Sequence, residues 1–135
     1  MTEGADSLED QLYDFVYLYD AAFDRAAQQT GLSAAQACLL VQLRRGGSTM
    51  GDLAVELICD ASNVTHLVGR LEARELVARE PDPDDGRTRR VSITAAGRRA
   101  CRSVEKHFTL PTERVGRLTE REQGQLSGLL RKILA

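Results

Sequence analysis

No stretch of this 135-residue chain approaches the roughly 18 consecutive apolar residues that a membrane span requires, so no membrane insertion is expected. Cysteine is scarce: Cys38, Cys59 and Cys101 are an odd number without a C-x-x-C pair, which argues against a disulfide framework or a zinc ribbon. The two histidines, His66 and His107, do not fall at ligand spacing with a cysteine, so neither a metal nor a cofactor is expected. Also missing are G-x-S-x-G, H-E-x-x-H, a phosphate-cradling glycine loop and a histidine close to a nucleophile. An enzyme would have to assemble its groups in space without any local motif, and none is expected here. Met1 to Asp10 is acidic and polar, unlike a secretory leader, which makes the cytoplasm the default compartment. There is no internal repeat and no low-complexity segment.

What remains is a globular composition, 42% apolar and 28% charged, at a length that suits one compact domain. The formal charge of −2 looks poor for a nucleic-acid binder, but it is unevenly spread. Residues 1–60 hold ten Asp/Glu and three Arg; residues 61–135 hold ten Asp/Glu and fifteen Lys/Arg. Such asymmetry fits one face for an anionic polymer and another for something else, or simply solvated basic helix faces.

Apolar residues recur at helical spacing from Leu8 through Leu12, Phe15, Val16, Tyr19, Ala22 and Phe23, which predicts one long amphipathic helix over about 8–29. Ser7 with Asp10 caps its start and Gly31 suits its stop. Ser33-Ala-Ala-Gln36 is a capping box opening a helix over about 34–44, closed by Gly46-Gly47. Thr49 and Asp52 open a short third helix with Leu53, Ala54 and Leu57 inward. After a turn at Ile58-Cys59, Asp60 caps a fourth over 61–74 with Val64, Leu67, Val68 and Leu71 inward. Leu76–Arg79 and Arg90–Ile93 then flank the Pro/Asp-rich turn 81–86 and read as a two-stranded hairpin. Thr94 caps a helix with Ala100, Val104 and Phe108 inward, and Pro111 kinks or divides it. Thr119-Glu-Arg-Glu122 is another capping box, opening a last helix with Leu126, Leu129, Leu130 and Ile133. The expected class is mainly α with a small β-hairpin wing. Short helix, turn, helix and hairpin in that order is the layout of a winged helix-turn-helix, which seats its second helix in the DNA major groove.

Gly51-Asp-Leu-Ala-Val-Glu-Leu57, Ser62-Asn-Val-Thr65, Leu67-Val-Gly-Arg-Leu-Glu72 and Leu76-Val-Ala-Arg79 together resemble the MarR family of regulators. Asp85-Gly-Arg87 followed by Val91-Ser-Ile-Thr94 and Gly97 is similar to that family's wing signature. The likeness is close over 32–97; the flanking helices match in length and amphipathicity. It implies a homodimer on a pseudo-palindromic operator. Residues 1–31 and 98–135 would form the dimerisation helices around a DNA-binding domain at 32–97. It also implies a repressor that leaves double-stranded DNA on binding a small phenolic or lipophilic effector, or on cysteine oxidation.

Ser62, Asn63, Thr65 and His66 crowd the first turn of the fourth helix, where short polar side chains reach base edges and free N–H groups attract phosphate. Ser62 and Asn63 can equally be read as mere caps. Asn63 facing outward could pair with adenine. His66 stands where the family usually has arginine and lacks the bidentate fork that reads guanine, so the resemblance carries the binding mode but not the operator sequence. Arg70, one turn on, is a candidate for a backbone phosphate. By the resemblance, Arg87 enters the minor groove at the wing tip and Asp85 holds the tip in shape through a neighbouring arginine. Arg89 and Arg90 are phosphate candidates, and strand alternation lets only one of them face DNA, so Arg89 is assigned to DNA and Arg90 to the wing. Asp82, Asp84 and Asp85 favour the plainer reading of a solvated hairpin with local ion pairs. Residues 60–90 balance to −1, six arginines against seven Asp/Glu, so one such module needs a second to gather enough phosphate contacts.

Tyr13, Phe15, Tyr17 and Tyr19 crowd the first helix although aromatics are only 4% of the chain. They do not share one face, and core or interface packing is their simplest use. In the family the usual effector pocket lies between the dimerisation and DNA-binding lobes, which makes Tyr13 and Tyr17 candidate lining residues. Thiol-peroxide sensors of the family carry a cysteine here, and this sequence does not. Cys59 at a helix start, opposed by Asp60, is the remaining redox candidate, while Cys38 and Cys101 read as small core residues. The alternative to DNA binding is a winged helix used as a protein-interaction scaffold.

Overall fold

The structure, a computed structural model, describes residues 7–56, 61–84, 86, 87 and 89–135, with the side chains of Glu56, Ala61 and Ser62 left aside. In chain order the elements are α1 (Leu8–Gln29), α2 (Ala34–Leu43), β1 (Ser48–Thr49), α3 (Met50–Glu56), α4 (Ala61–Ala73), β2 (Val77–Pro81), β3 (Arg89–Ile93), α5 (Ala95–His107), α6 (Leu110–Val115) and α7 (Glu120–Leu134).

The helix starts follow their caps. Ser7 Oγ accepts the Asp10 N–H at 3.1 Å and opens α1. Reciprocal capping boxes start α2 (Ser33 with Gln36) and α7 (Thr119 with Glu122). Thr49 Oγ1 accepts the Asp52 N–H at the head of α3, and Thr94 Oγ1 the Gly97 N–H at the head of α5. Helix α1 ends where Gly31 turns left-handed at φ 78°, with Leu32 N–H bonded to the Ala27 carbonyl and Gly31 N–H to that of Gln28. The same wrap ends α4: Leu76 N–H returns to the Leu71 carbonyl, Glu75 N–H to that of Glu72, and Glu75 takes φ 62° without being glycine. Arg74 ties the two ends together by donating from Nη1 to the Gly31 carbonyl at 2.7 Å.

Two expectations need correction. The hairpin is part of a three-stranded antiparallel sheet of order β1-β3-β2, because Ser48 pairs with Val91 and Thr49 with Arg90. A strand of two residues has no periodicity to read, and it exists only by pairing with β3. The hairpin strands also run further toward the tip, to Pro81 and from Arg89, with Val77 opposite Ile93 and Arg79 opposite Val91. Secondly, Phe108 lies beyond α5. That helix stops at His107, and α6 begins afresh with Pro111 in its first turn, where a missing N–H costs nothing. Phe108 meets Tyr19 edge-on, with ring centroids 4.9 Å apart. The Ile58-Cys59 turn, Leu57 and the Asp60 cap fall outside the described residues.

The chain divides into two compact units, 23–107 and 1–22 with 108–135. Among the described residues every buried apolar side chain except Leu110 belongs to 23–107, where Leu39, Leu40, Leu43, Leu53, Val64, Val68, Leu71 and Val91 are wholly enclosed. The second unit is the reverse. Among its described residues it exposes thirteen large apolar side chains, including Leu8, Leu12, Phe15, Val16, Leu126, Leu129, Leu130 and Ile133. Its α6–α7 segment borders an open groove lined by Val115, Leu118, Leu126, Leu130 and Leu134. The apolar faces of α1 and α7 are therefore exposed in the single chain.

Candidate nucleic-acid interface

Helix α4 is fixed from below by Val64, Val68 and Leu71, spaced four and three residues apart and all at 0% exposure. Helical geometry then turns Asn63, His66 and Arg70 to the opposite side, and all three are exposed. Thr65 is exposed on a flank of the same helix. Ser62 lies in its first turn, and its side chain is outside the described residues. Asn63, Thr65, His66 and Arg70 are thus exposed on one helix whose Val64, Val68 and Leu71 are buried.

In the wing, Val77 and Val91 are buried while Arg89 and Arg90 are exposed. Arg90 donates from Nη2 to the Gly47 carbonyl at 2.5 Å, which commits it to the segment leading into β1. Arg89 stands opposite Pro81 at the outer end of the hairpin. Arg87 is exposed in the turn at the tip. Asp85, expected to brace that tip, lies outside the described residues, as does Thr88. Asp82 Oδ1 accepts the Asp84 N–H at 2.9 Å, a local turn that consumes one of the nearby carboxylates.

Sequence reasoning passed over one pair that the fold brings together. Glu72 on α4 and Arg79 on β2 approach to 3.4 Å between Oε1 and Nε, an ion pair by distance but not a hydrogen bond, since Arg79 Nε has no partner of that geometry. The guanidinium passes beside Gly69, where a Cβ would sit 3.9 Å from Nη2. Arg79 therefore spans from the wing to the outward side of α4. Only the strand register, with Arg79 opposite Val91, reveals this; residue spacing carries no sign of it.

Tyr13 and Tyr17 lie in the other unit, 73% and 72% exposed on one side of α1. Phe15 and Tyr19 pack differently, with ring centroids 6.3 Å apart. Cys101 is buried, and that burial pushes its thiol pKa up against the opposing pull of Arg44, Arg98 and Arg102. A thiol held protonated in this way is a poor nucleophile. Cys38, read from the sequence as a small core residue, is instead exposed on α2, and Cys59 is outside the described residues. Among the described residues no group of His, Cys, Asp and Glu is placed to hold a metal ion, and no helix is long and apolar enough to cross a membrane.

A sequence profile of the MarR family matches residues 30–88. The chain is 36% identical over 100 residues to the transcriptional activatory protein BadR of Rhodopseudomonas palustris, covering 71% of this chain and 57% of that protein. It spans little more than half the length of the curated relatives it matches. The crystal structure of a probable transcriptional regulator from Pseudomonas aeruginosa is similar at 30% identity and a TM-score of 0.72, over 95% of this chain and 97% of that one. A mutant MarR from E. coli complexed with operator DNA is similar at 26% identity and a TM-score of 0.77, over 95% and 94% of the two chains.

Proposed function

The chain belongs to the MarR family, and from that premise we propose that it is a dimeric, sequence-specific DNA-binding regulator of transcription. The observation that carries this reading is α4. Its exposed Asn63, His66 and Arg70 lie opposite a sealed apolar side, and the wing stands beside them. Ser62, Asn63, Thr65 and His66 meet base edges and phosphates in the major groove, and Arg70 neutralises a phosphate. Arg87 enters the adjoining minor groove, Arg89 meets backbone, and Asp85 and Arg90 keep the wing in shape. The likeness to the E. coli protein in complex with operator DNA supports this docking.

Homodimerisation through residues 1–31 and 98–135, flanking a DNA-binding domain at 32–97, is supported by the uncovered apolar side chains of α1 and α7. A second copy offers a surface of the same kind, as two-fold symmetry demands. Two α4 helices would then address half-sites whose centres lie about 10 base pairs apart or a multiple of that. The regulator works in the cytoplasm as a repressor released by a small phenolic or lipophilic effector, with Tyr13 and Tyr17 among the residues that sense it.

The test is selection of bound fragments from genomic DNA, with gel-shift titration of the winners in rising salt and a reporter for the sign of regulation. A pseudo-palindrome bound with steep salt dependence is expected. Failure to retain any duplex at low ionic strength would end the proposal.

A further inference from the structure

Helix α5 carries Arg98, Arg99, Arg102 and Lys106, all exposed. At about 100° per residue these four fall within little more than a quarter of the helix circumference, away from the side that buries Gly97, Cys101 and Val104. The arrangement opposes the helix's own stability in two ways. Arg98 to Arg102 and Arg102 to Lys106 are like charges four residues apart. Arg98 and Arg99 also sit near the N-terminal, positive end of the helix dipole, in a first turn without an acidic residue. The one carboxylate of α5, Glu105, is already paired with Arg44 of α2. Among the described residues no carboxylate lies within ion-pair distance of the four cations.

The helix also starts at a defined place. Thr94 Oγ1 donates to the Glu75 carbonyl at 2.7 Å, and Thr94 N–H reaches the Leu76 carbonyl at 3.1 Å. Gly97 lies so close to that same carbonyl that a Cβ there would collide with it. The stripe thus begins beside the C-terminal end of α4, the end away from Ser62, Asn63, Thr65 and His66, inside the same compact unit. Residues 60–90, which include α4 and the wing, hold seven Asp/Glu against six Arg. A DNA reader needs cations from somewhere, and this module supplies no excess.

We propose that the α5 stripe is a second, sequence-independent contact surface for the DNA backbone, in which Arg98, Arg99, Arg102 and Lys106 neutralise phosphates beyond the reach of α4 and the wing. The inference rests on the DNA-binding reading above and adds to it the source of the nonspecific affinity. Charge complementarity fits a polyanion, and phosphate contacts of this kind release counterions without reading bases.

The experiment measures binding of the full chain to a long mixed-sequence duplex by fluorescence anisotropy across a salt series. The chains compared are the unaltered protein, the double variant Arg98→Ala/Arg102→Ala, its charge-retaining counterpart Arg98→Lys/Arg102→Lys, and Arg87→Ala. The alanine pair is expected to flatten the plot of log affinity against log salt by about 0.9 for each phosphate no longer neutralised. The lysine pair should retain most of the slope. The ratio of operator to mixed-sequence affinity should stay unchanged in the stripe variants and fall in Arg87→Ala. An unaltered slope in a folded alanine pair overturns the inference while leaving the DNA-binding reading in place. So does an unaltered slope accompanied by loss of the dimer in sedimentation, which would assign the stripe to the acidic α1 of a second copy. If the unaltered protein retains no duplex at all, the DNA-binding reading itself falls and the inference falls with it.

Discussion

Glu75 occupies a left-handed backbone position that the end of α1 fills with Gly31, at φ 62° against 78°. The hydrogen bonds of the two helix ends are the same, so the glutamate Cβ is strained there for no bond gained. Glu75→Gly should therefore raise stability by about 0.5–1 kcal/mol, read as a higher urea midpoint at unchanged m-value. A lower midpoint would show that the side chain itself stabilises the turn. The sequence could not announce this turn, because the glycine that usually marks such an end is absent. Gly31 was legible for the opposite reason. Cysteine chemistry belongs to this scale too. Burial raises the Cys101 pKa, so at any given pH it has less thiolate than an ordinary cysteine. Site-resolved alkylation of the native protein should label exposed Cys38 quickly and Cys101 only after unfolding; equal rates would mean that the α5 packing opens readily.

Among the elements, the junction of α4, β2 and α5 is closely packed at Gly97. Gly97 faces the Leu76 carbonyl, a backbone atom between α4 and β2, and the Ile93 side chain at Cγ1. Gly97→Ala should cost about 1–3 kcal/mol and lower the thermal midpoint, as overpacking does; a neutral result would mean that the contact relaxes easily. The wing is tested differently. Arg87→Ala should weaken specific DNA binding by about 1–3 kcal/mol while leaving the dimer intact, measured by gel shift and sedimentation. Unchanged affinity would remove the wing from the mechanism. The helices were legible because their caps are local: Ser33 with Gln36 and Thr119 with Glu122 bond as their spacing implies. The outward residues of α4 were legible because Val64, Val68 and Leu71 fix the opposite side. β1 was not legible, since Ser48 and Thr49 become a strand only through partners more than forty residues away, Val91 and Arg90. The approach of Glu72 to Arg79 was hidden because it depends on how the sheet packs against α4.

At the scale of the whole molecule, the two units differ in what holds them. Residues 23–107 enclose a core, whereas 1–22 with 108–135, among their described residues, bury only Leu110. Exposed Leu126, Leu129, Leu130 and Ile133 are expected to be covered by a second chain, each such side chain contributing roughly 1.5–3 kcal/mol if fully buried. Truncation after residue 97 should leave a monomer in sedimentation velocity; a surviving dimer would place the interface elsewhere. The thermal midpoint of the full chain should likewise rise with protein concentration.

Ser48–Thr49 is both the outer strand of the sheet and the lead-in to α3, and Arg90 holds the carbonyl just before it. The hairpin and the helix pair α3–α4 are therefore joined through one short splice. If the hairpin meets DNA as proposed, a distortion imposed at its tip would pass to α3 and α4 through that splice. Sequence preference at the outermost bases and at the central ones should then vary together, even where no side chain touches both.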